Sequence, residues 1–561
     1  MRPPLNSPRF RRLSVITQFP FLERIFEEKM VRNEIALVSI LLLLCFTLFF
    51  FRLGARPLWN PDEGKHASTT KDMVLSGDWV TPTYNGKNFY DKPILYNWLA
   101  AISFTVFGFT EFAARLPAAL LGLGGVIITY LLGRKMFGAM AGFLGGVILA
   151  TSPEYVILSR VVVHDISLAF FVTLSLFFFY LGFASAGQRK IYFLLCYASS
   201  GFAVLAKGPL GAALPGLIIG LFLMLKGRLR FLKDMQLGWG TLVFLIVAAP
   251  WYILISLKNS DYAGYFFLQQ NLQNFLSSEI GHPEPFYYYI PILLGGFFPW
   301  SSFLPLALTR ALGVRLKAMD DRALFLVIWF GAVFLFFSIA SSKLPTYILP
   351  SFPAAALLVG VLWRDLLSAP TPPLRKGFFY SSVPMVAVLT LALVYIVITP
   401  PTRLMSKYGI DLLRMNSLAS TVAGMALLSF LMLVQKRYKA FFSANVGLIL
   451  GGIILFIVLI VPSINPYRSS KGLAEKLDAL VVPGEKFVFY REIRDSALFY
   501  TNRRGLVLYI PRQVIQHLTS GKKTYCVIEK RHFEEIEKLK EISEVVYREG
   551  RDLIITTKNS G

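Results

Sequence analysis

The sequence predicts an α-helical polytopic membrane protein of about thirteen transmembrane helices, followed by a small C-terminal α/β domain on the outer (periplasmic) face. Three observations carry this expectation. Of 561 residues, 55% are hydrophobic and only 16% charged, where soluble chains carry roughly a quarter charged residues. Apolar runs long enough to cross a bilayer recur through residues 34–462. Residues 463–561 abandon that pattern for short strands and amphipathic helices.

Taken in order, residues 1–33 form a basic cytoplasmic tail, and "EIALVSILLLLCFTLFFFRL" (34–53) is the first span. It is too long for a secretory signal and lacks the small-residue cleavage site, so it reads as a retained anchor. Further spans are expected near 113–133, 138–158, 166–185, 191–206, 209–225, 236–257, 287–308, 323–341, 344–363, 378–399, 417–435 and 442–462. The shorter run 94–108 is expected to lie along the membrane surface, inside an outer loop covering 55–112.

Charge orients the bundle. Six alternate connections hold eighteen basic residues, among them Arg134, Lys226, Arg228, Arg310, Arg322 and Arg364, while the other five short connections hold seven. The first set is therefore cytoplasmic, and the loop 55–112 and the C-terminal domain face outward, which makes this a multi-pass inner-membrane protein. The net charge of +24 belongs to these loops and suits anionic membrane lipid rather than nucleic acid. Cys45, Cys196 and Cys526 are scattered and give neither a disulfide framework nor a zinc-type spacing.

In the C-terminal domain "EKFVFYR", "GLVLYI", "KTYCVIE" and "EVVYR…DLIITT" read as strands, with helices at "SSKGLAEKLDAL" and "KRHFEEIEKLKEI". It shows no phosphate loop and no catalytic constellation, so a lid or substrate-guiding role is expected.

The ionisable residues avoid the middle of the apolar runs and gather at the outer ends of the spans. An ion-coupled transporter needs such groups near the midplane. Their placement here suits chemistry on a substrate held at the membrane surface. The groups are Asp62, Glu63, Lys65 and His66 in "PLWNPDEGKHA", Asp91 and Lys92 in "FYDKPILYNW", His164 and Asp165 at span four, Lys207 in "AKGPLG", His282 and Glu284 in "GHPEPFYYY", and Lys343 and Tyr347 in "SSKLPTYILP". In the last of these, Ser341 or Ser342 is placed to cap a helix whose first turn holds Pro345. Its amide groups and Lys343 would attract an anion, and "AKGPLG" repeats the design with Lys207 and Pro209. Asp62 and Asp165, both at outer mouths, suit activation of an acceptor or binding of a cation or amine. Asp91 and His282 can supply two ligands to a divalent metal. For His66 and His164 a structural role at the interface is expected.

"RPLWNPDEGKHA", "SGDWVTPTYNGKNFYDKPILYNWL", "FAARLPAALLG" and "SSKLPTYILPSFPAAALL" together resemble the lipid A aminoarabinose transferases and the related protein O-mannosyltransferases, polytopic glycosyltransferases of the GT-C type. The resemblance implies inverting transfer of a sugar from a lipid-linked (polyprenyl-phosphate) donor to a lipid, protein hydroxyl or envelope glycan acceptor, within a transferase domain of residues 34–462. It implies catalytic carboxylates at Asp62 and Asp165, with Glu63 beside them. Lys92, Lys343, Tyr347 and Lys207 would bind the donor phosphate, and Asp91 with His282 would hold a divalent metal (zinc, manganese or magnesium). Two positions depart from the aminoarabinose branch. Asp91 stands where that branch usually has Glu, and Asn274 where it tends to have Arg. The competing expectation from another class is a transporter or flippase of lipid-linked saccharides.

Overall fold

A computed structural model describes residues 20–558 except 186, 267–281, 314–319, 399–401, 483–486, 502 and 521–522; Asn274 lies outside the described residues. Every expected span coincides with helix. Among the described residues, eight helices are long and apolar enough to cross a membrane, or nine if Tyr289–Gly296 and Trp300–Leu312, bent by 112°, form one broken span. The chain is thus a multi-pass membrane protein.

Two of the expected runs are broken. Expected span 138–158 splits into Ala139–Ala150 and Pro153–Leu158, because Pro153 cannot donate into a continuing helix and instead occupies the first turn of a new one. Pro299 coincides with the bend of the 287–308 run in the same way. Leu210–Leu225 is apolar but only 16 residues long. The run expected along the surface is the helix Leu95–Phe107, and a second helix, Asp62–Ser76, precedes it in the outer loop. Between them the Asn85-Gly86 pair, at φ 50° and 79°, turns a small antiparallel ribbon of Thr83–Tyr84 and Lys87–Asn88.

Packing in the bundle depends on close backbone approach, as expected where lipid leaves little hydrophobic drive between helices. A Cβ on Gly360 would lie 2.7 Å from the Gly145 backbone nitrogen, so Phe352–Ser368 crosses Ala139–Ala150 almost backbone to backbone. The basic connections also collect at one end. Arg134 pairs with Glu34 at 2.8 Å, and Lys226 and Arg228 reach Asp321 at 2.7 and 3.0 Å. Arg322 and Arg364 donate to the carbonyls of Met136 and Phe137 at 2.7 and 2.9 Å. The alternation used to orient the chain is therefore matched by contacts between the same connections.

The C-terminal domain is a five-stranded sheet in the order Gly505–Leu508, Phe487–Tyr490, Tyr525–Glu529, Asp552–Thr557, Ser543–Glu549. The first three strands pair in parallel and the last two antiparallel. All expected strands are present. The helix expected at 530–542 breaks into Lys530–Glu535 and Glu537–Ile542, and the short helices Asp495–Tyr500 and Pro511–Leu518 were not anticipated. Asp495–Tyr500 is the docking element. It lies so close to Asp62–Ser76 that a Cβ on Gly64 would come within 2.3 Å of the Ser496 amide nitrogen.

Gly64→Val should therefore push the domain off the bundle. The expected result is faster proteolysis between residues 470 and 558 with the membrane helices intact, read by limited digestion and mass spectrometry; unchanged cleavage would show that the contact does not hold the domain.

Candidate active site

The site grows from the turn that leads into Asp62–Ser76. Asp62 and Glu63 occupy the first turn, where carboxylates complement the free amides and the positive helix end. Successive helical residues point about 100° apart, and the two carboxylates accordingly part company. Glu63 turns inward and is buried at 4% exposure. Its oxygens accept from Arg56 at 2.6 and 3.0 Å, from Arg115 at 2.8 and 3.0 Å, and from the Trp59 amide at 3.1 Å. Arg115 also donates to the carbonyls of Leu53, Arg56 and Pro57. Against the pull of desolvation, the two guanidinium groups hold the Glu63 carboxyl down at about 2.

Glu63, expected beside the catalytic carboxylates, is thus committed to a structural clasp. Neither arginine was singled out in the sequence. The available signal was Arg115 itself, a charge just inside an apolar run, which requires a partner.

Asp62 turns outward. It is exposed and makes no hydrogen bond or ion pair among the described residues. Partial desolvation and the Asp165 charge push its carboxyl up, while Lys65 and Lys92 pull it down. Asp165, a hundred residues away in sequence, therefore faces the same mouth. It heads the helix Asp165–Ala184 and pairs with Lys207 in a short charge-assisted contact. The Lys207 ammonium lies 4.0 Å from the centre of the Tyr347 ring, within cation–π range. Lys92 has its charge felt at Asp62, His66, His164, Asp165 and Tyr347. The structure thus brings together five expected residues: Asp62, Asp165, Lys92, Lys207 and Tyr347.

Neither expected helix start lies where the sequence suggests. Lys207 ends the helix Arg189–Lys207, with Gly208 at φ 78° turning the chain into the next. Tyr347 sits in a 3-10 turn, Pro345–Ser351, without a side-chain cap; Ser342 instead accepts from the His282 amide at 3.1 Å. Lys343 is buried and donates to the carbonyls of Glu284 and Ala340 at 2.7 and 2.5 Å. Its ammonium fastens the 282–284 segment to 340–343, where Pro283 and Ser342 form a bridge, and is spent there rather than held open for a phosphate.

The two expected metal ligands lie in different surroundings. Asp91 meets the Lys65 ammonium at 3.5 Å and accepts from the Tyr265 hydroxyl at 2.9 Å. His282 is exposed and fixed through its backbone. Among the described residues, no group of three or more His, Cys, Asp or Glu side chains comes together to hold a metal ion. Asp91 and His282 thus gain no third ligand among the described residues, and the Asp91 carboxylate keeps a loose contact to Lys65.

Beneath the mouth lie His66 and His164, ring centres 4.5 Å apart. Both are buried. Burial, with Lys92 and Lys65, brings His66 down to about 3; burial, the His66 ring, Lys92 and Lys207 bring His164 well below its ordinary value. Both are neutral near pH 7.

Residues 91–254 match the model of the dolichyl-phosphate-mannose-protein mannosyltransferase family. The chain is 35% identical over 329 residues to the undecaprenyl phosphate-alpha-4-amino-4-deoxy-L-arabinose arabinosyl transferase 2 of Proteus mirabilis, covering 57% of this chain and 58% of that protein. It thus spans less than two thirds of that relative. A longer match, to the arabinosyl transferase of Pseudomonas paraeruginosa, is 30% identical over 492 residues, covering 85% of this chain and 86% of the relative. ArnT from Cupriavidus metallidurans bound to undecaprenyl phosphate has the same fold, with a TM-score of 0.80 at 24% identity over 94% of this chain and 98% of that one. The archaeal oligosaccharyltransferase AglB from Archaeoglobus fulgidus is more distant, with a TM-score of 0.51 at 13% identity over 89% and 70%. Fold and site together define a multi-pass membrane protein with an ArnT-like bundle. The chain belongs to the undecaprenyl phosphate-alpha-4-amino-4-deoxy-L-arabinose arabinosyl transferase family.

Two outcomes are expected. Glu63→Gln leaves two buried guanidinium groups uncompensated and should cost about 3–5 kcal/mol, seen as a fall in melting temperature that Asp62→Asn does not share. His66 protonates more readily unfolded than folded, so stability falls as pH drops from the unfolded value near 6.5 toward 3. From pH 7 to 5 the loss should be about 2 kcal/mol, and His66→Asn should flatten the melting profile across that window.

Proposed function

We propose that this protein transfers a sugar from a polyprenyl-phosphate donor to an acceptor at the outer face of the cytoplasmic membrane, with inversion at the anomeric carbon. The observation that carries the reading is the open Asp62 carboxylate facing Asp165, Lys207, Tyr347 and Lys92 at one mouth. Relatives named as undecaprenyl phosphate-4-amino-4-deoxy-L-arabinose arabinosyl transferases support undecaprenyl phosphate as the carrier and an amino pentose as the sugar. They also support a lipid acceptor of the lipid A type.

The acceptor oxygen attacks the anomeric carbon, the bond from that carbon to the phosphate oxygen breaks, and its electron pair leaves on the polyprenyl phosphate. Leaving-group charge is met by Lys92, which faces the carboxylates from a loop, and by Lys207. Preorganised cations near a developing anion supply the electrostatic part of the acceleration. Lys207 is already fixed by Asp165 and the Tyr347 ring, so it is oriented before the donor arrives. Asp62 takes the proton of a hydroxyl acceptor. For an anionic phosphate acceptor it orients the nucleophile or stabilises positive charge on the sugar ring. Glu63 and Lys343 act as positioning residues, holding the loops that carry Asp62 and Tyr347.

The test uses purified protein in detergent with undecaprenyl-phosphate sugars and acceptor lipid, recording released undecaprenyl phosphate by mass spectrometry. Release should require acceptor and fall at least ~100-fold in Asp62→Asn, with the melting temperature preserved. Transfer by Asp62→Asn at the wild-type rate would remove Asp62 from the reaction.

A further inference from the structure

Beside the mouth, between the outer loop and the C-terminal domain, lies a cleft of about 510 Å³. Asn60, Pro61 and Lys65 form its inner wall, and the end of the last membrane helix with the outer sheet forms the rest. The Asp62 and Lys65 charges both reach Asp495 in its lining. The cleft therefore opens toward the acceptor side of the proposed reaction.

Its charges do not cancel. Arg494 is consumed by Glu492 and Asp552, at 2.8 and 2.6 Å. Asp495 accepts from the Tyr84 hydroxyl at 2.5 Å, and burial pushes its carboxyl up. Lys65 has a 3.5 Å contact to Asp91 and lies 4.8 Å from the Phe89 ring centre, and Arg551 has a 3.7 Å contact to Glu529. Arg468 and Arg491 line the cleft, are exposed and make no ion pair among the described residues. Arg491 is moreover held at φ 64°, a conformation that favours Gly or Asn. Tyr467 and Tyr509 lie on the same wall, Tyr509 with 65% of its surface exposed.

Guanidinium groups without ion pairs beside the open Tyr509 ring match a phosphate carried on a saccharide. Guanidinium binds the phosphate by charge-assisted hydrogen bonds, and the aromatic rings cover the apolar face of the sugar. We propose that this cleft is the subsite for a phosphorylated saccharide headgroup of the acceptor, read by Arg468 and Arg491 and backed by Tyr509. The assignment rests on the transferase reading above. It gives the C-terminal domain a direct part in choosing the acceptor.

The experiment titrates full-length detergent-solubilised protein with three probes: a monophosphorylated disaccharide, the same disaccharide without phosphate, and inorganic phosphate. The phosphorylated disaccharide should bind at least ~10-fold more tightly than either part, since both halves of the subsite contribute. Arg468→Ala combined with Arg491→Ala should weaken that binding ~10-fold or more and leave affinity for undecaprenyl phosphate within twofold. Tyr509→Ala should lower affinity for both disaccharides and not for inorganic phosphate. Lys538→Ala, on the helix Glu537–Ile542 and paired with Glu541, should change nothing. No saturable binding of the phosphorylated disaccharide, or equal binding by the double variant at an unchanged melting temperature, overturns the subsite. The donor-release assay fails independently: binding lost with the arginine pair supports the cleft whether or not Asp62 proves catalytic.

Discussion

One buried carboxylate between two guanidinium groups governs how the mouth of the site is built. An ion cluster taken out of water is tolerable only when its geometry is nearly complete, and Glu63 meets that demand with Arg56, Arg115 and the Trp59 amide. Arg115 then uses its remaining donors on three carbonyls of the 53–57 segment, so the chain leaving the first membrane helix has little freedom left. The neighbouring residue inherits its direction from this arrangement. With Glu63 drawn into the protein, Asp62 must face the mouth, and two adjacent carboxylates acquire opposite duties through helical geometry alone.

The same turn also holds the C-terminal domain. Leu58 donates to the Tyr500 hydroxyl at 2.8 Å, Trp59 to Asn465 at 3.0 Å, and the Asn60 side chain bonds Ser470 and the Ser496 amide at 3.0 and 2.6 Å. Lys71 reaches the Phe499 carbonyl, and Lys471 pairs with Glu111. "PLWN" is therefore scaffold and "DE" divides between site and scaffold. A motif that reads as one unit of chemistry is a junction where membrane bundle, candidate site and outer domain meet.

What could be read from the sequence follows from what periodicity and sidedness encode. Apolar runs found the helices, and counting their alternation put Asp62, Asp165, Lys207 and Tyr347 on one face, because groups at the same ends of neighbouring helices converge. Sidedness does not say which charge meets which. Lys343 has the same address as Lys207, yet one is spent on carbonyls and the other meets Asp165; the difference lies in a 3-10 turn and a two-residue bridge with no periodic signature. The neighbours of Asp91, Lys65 and Tyr265, come from other segments that no local pattern links to it. Prolines break two otherwise uniform apolar runs into shorter helices, which the apolar pattern alone does not show.

The charge pattern of the mouth bears on how a lipid phosphate would be received. Lys207 is paired before any ligand arrives, whereas Lys92 faces two carboxylates and two neutral imidazoles. An incoming phosphodiester would compete with Asp165 for Lys207, and separating a desolvated pair is expensive unless the new anion replaces the old one at once. Lys92 has no such prior commitment and is the better first contact. The buried histidines strengthen this asymmetry: kept neutral, they add no positive charge that would hold the phosphate after transfer. A site that must bind a lipid phosphate and then release it is better served by one unpaired cation and one tethered cation than by a ring of free ones. The Asp165–Lys207–Tyr347 cluster supplies the tether.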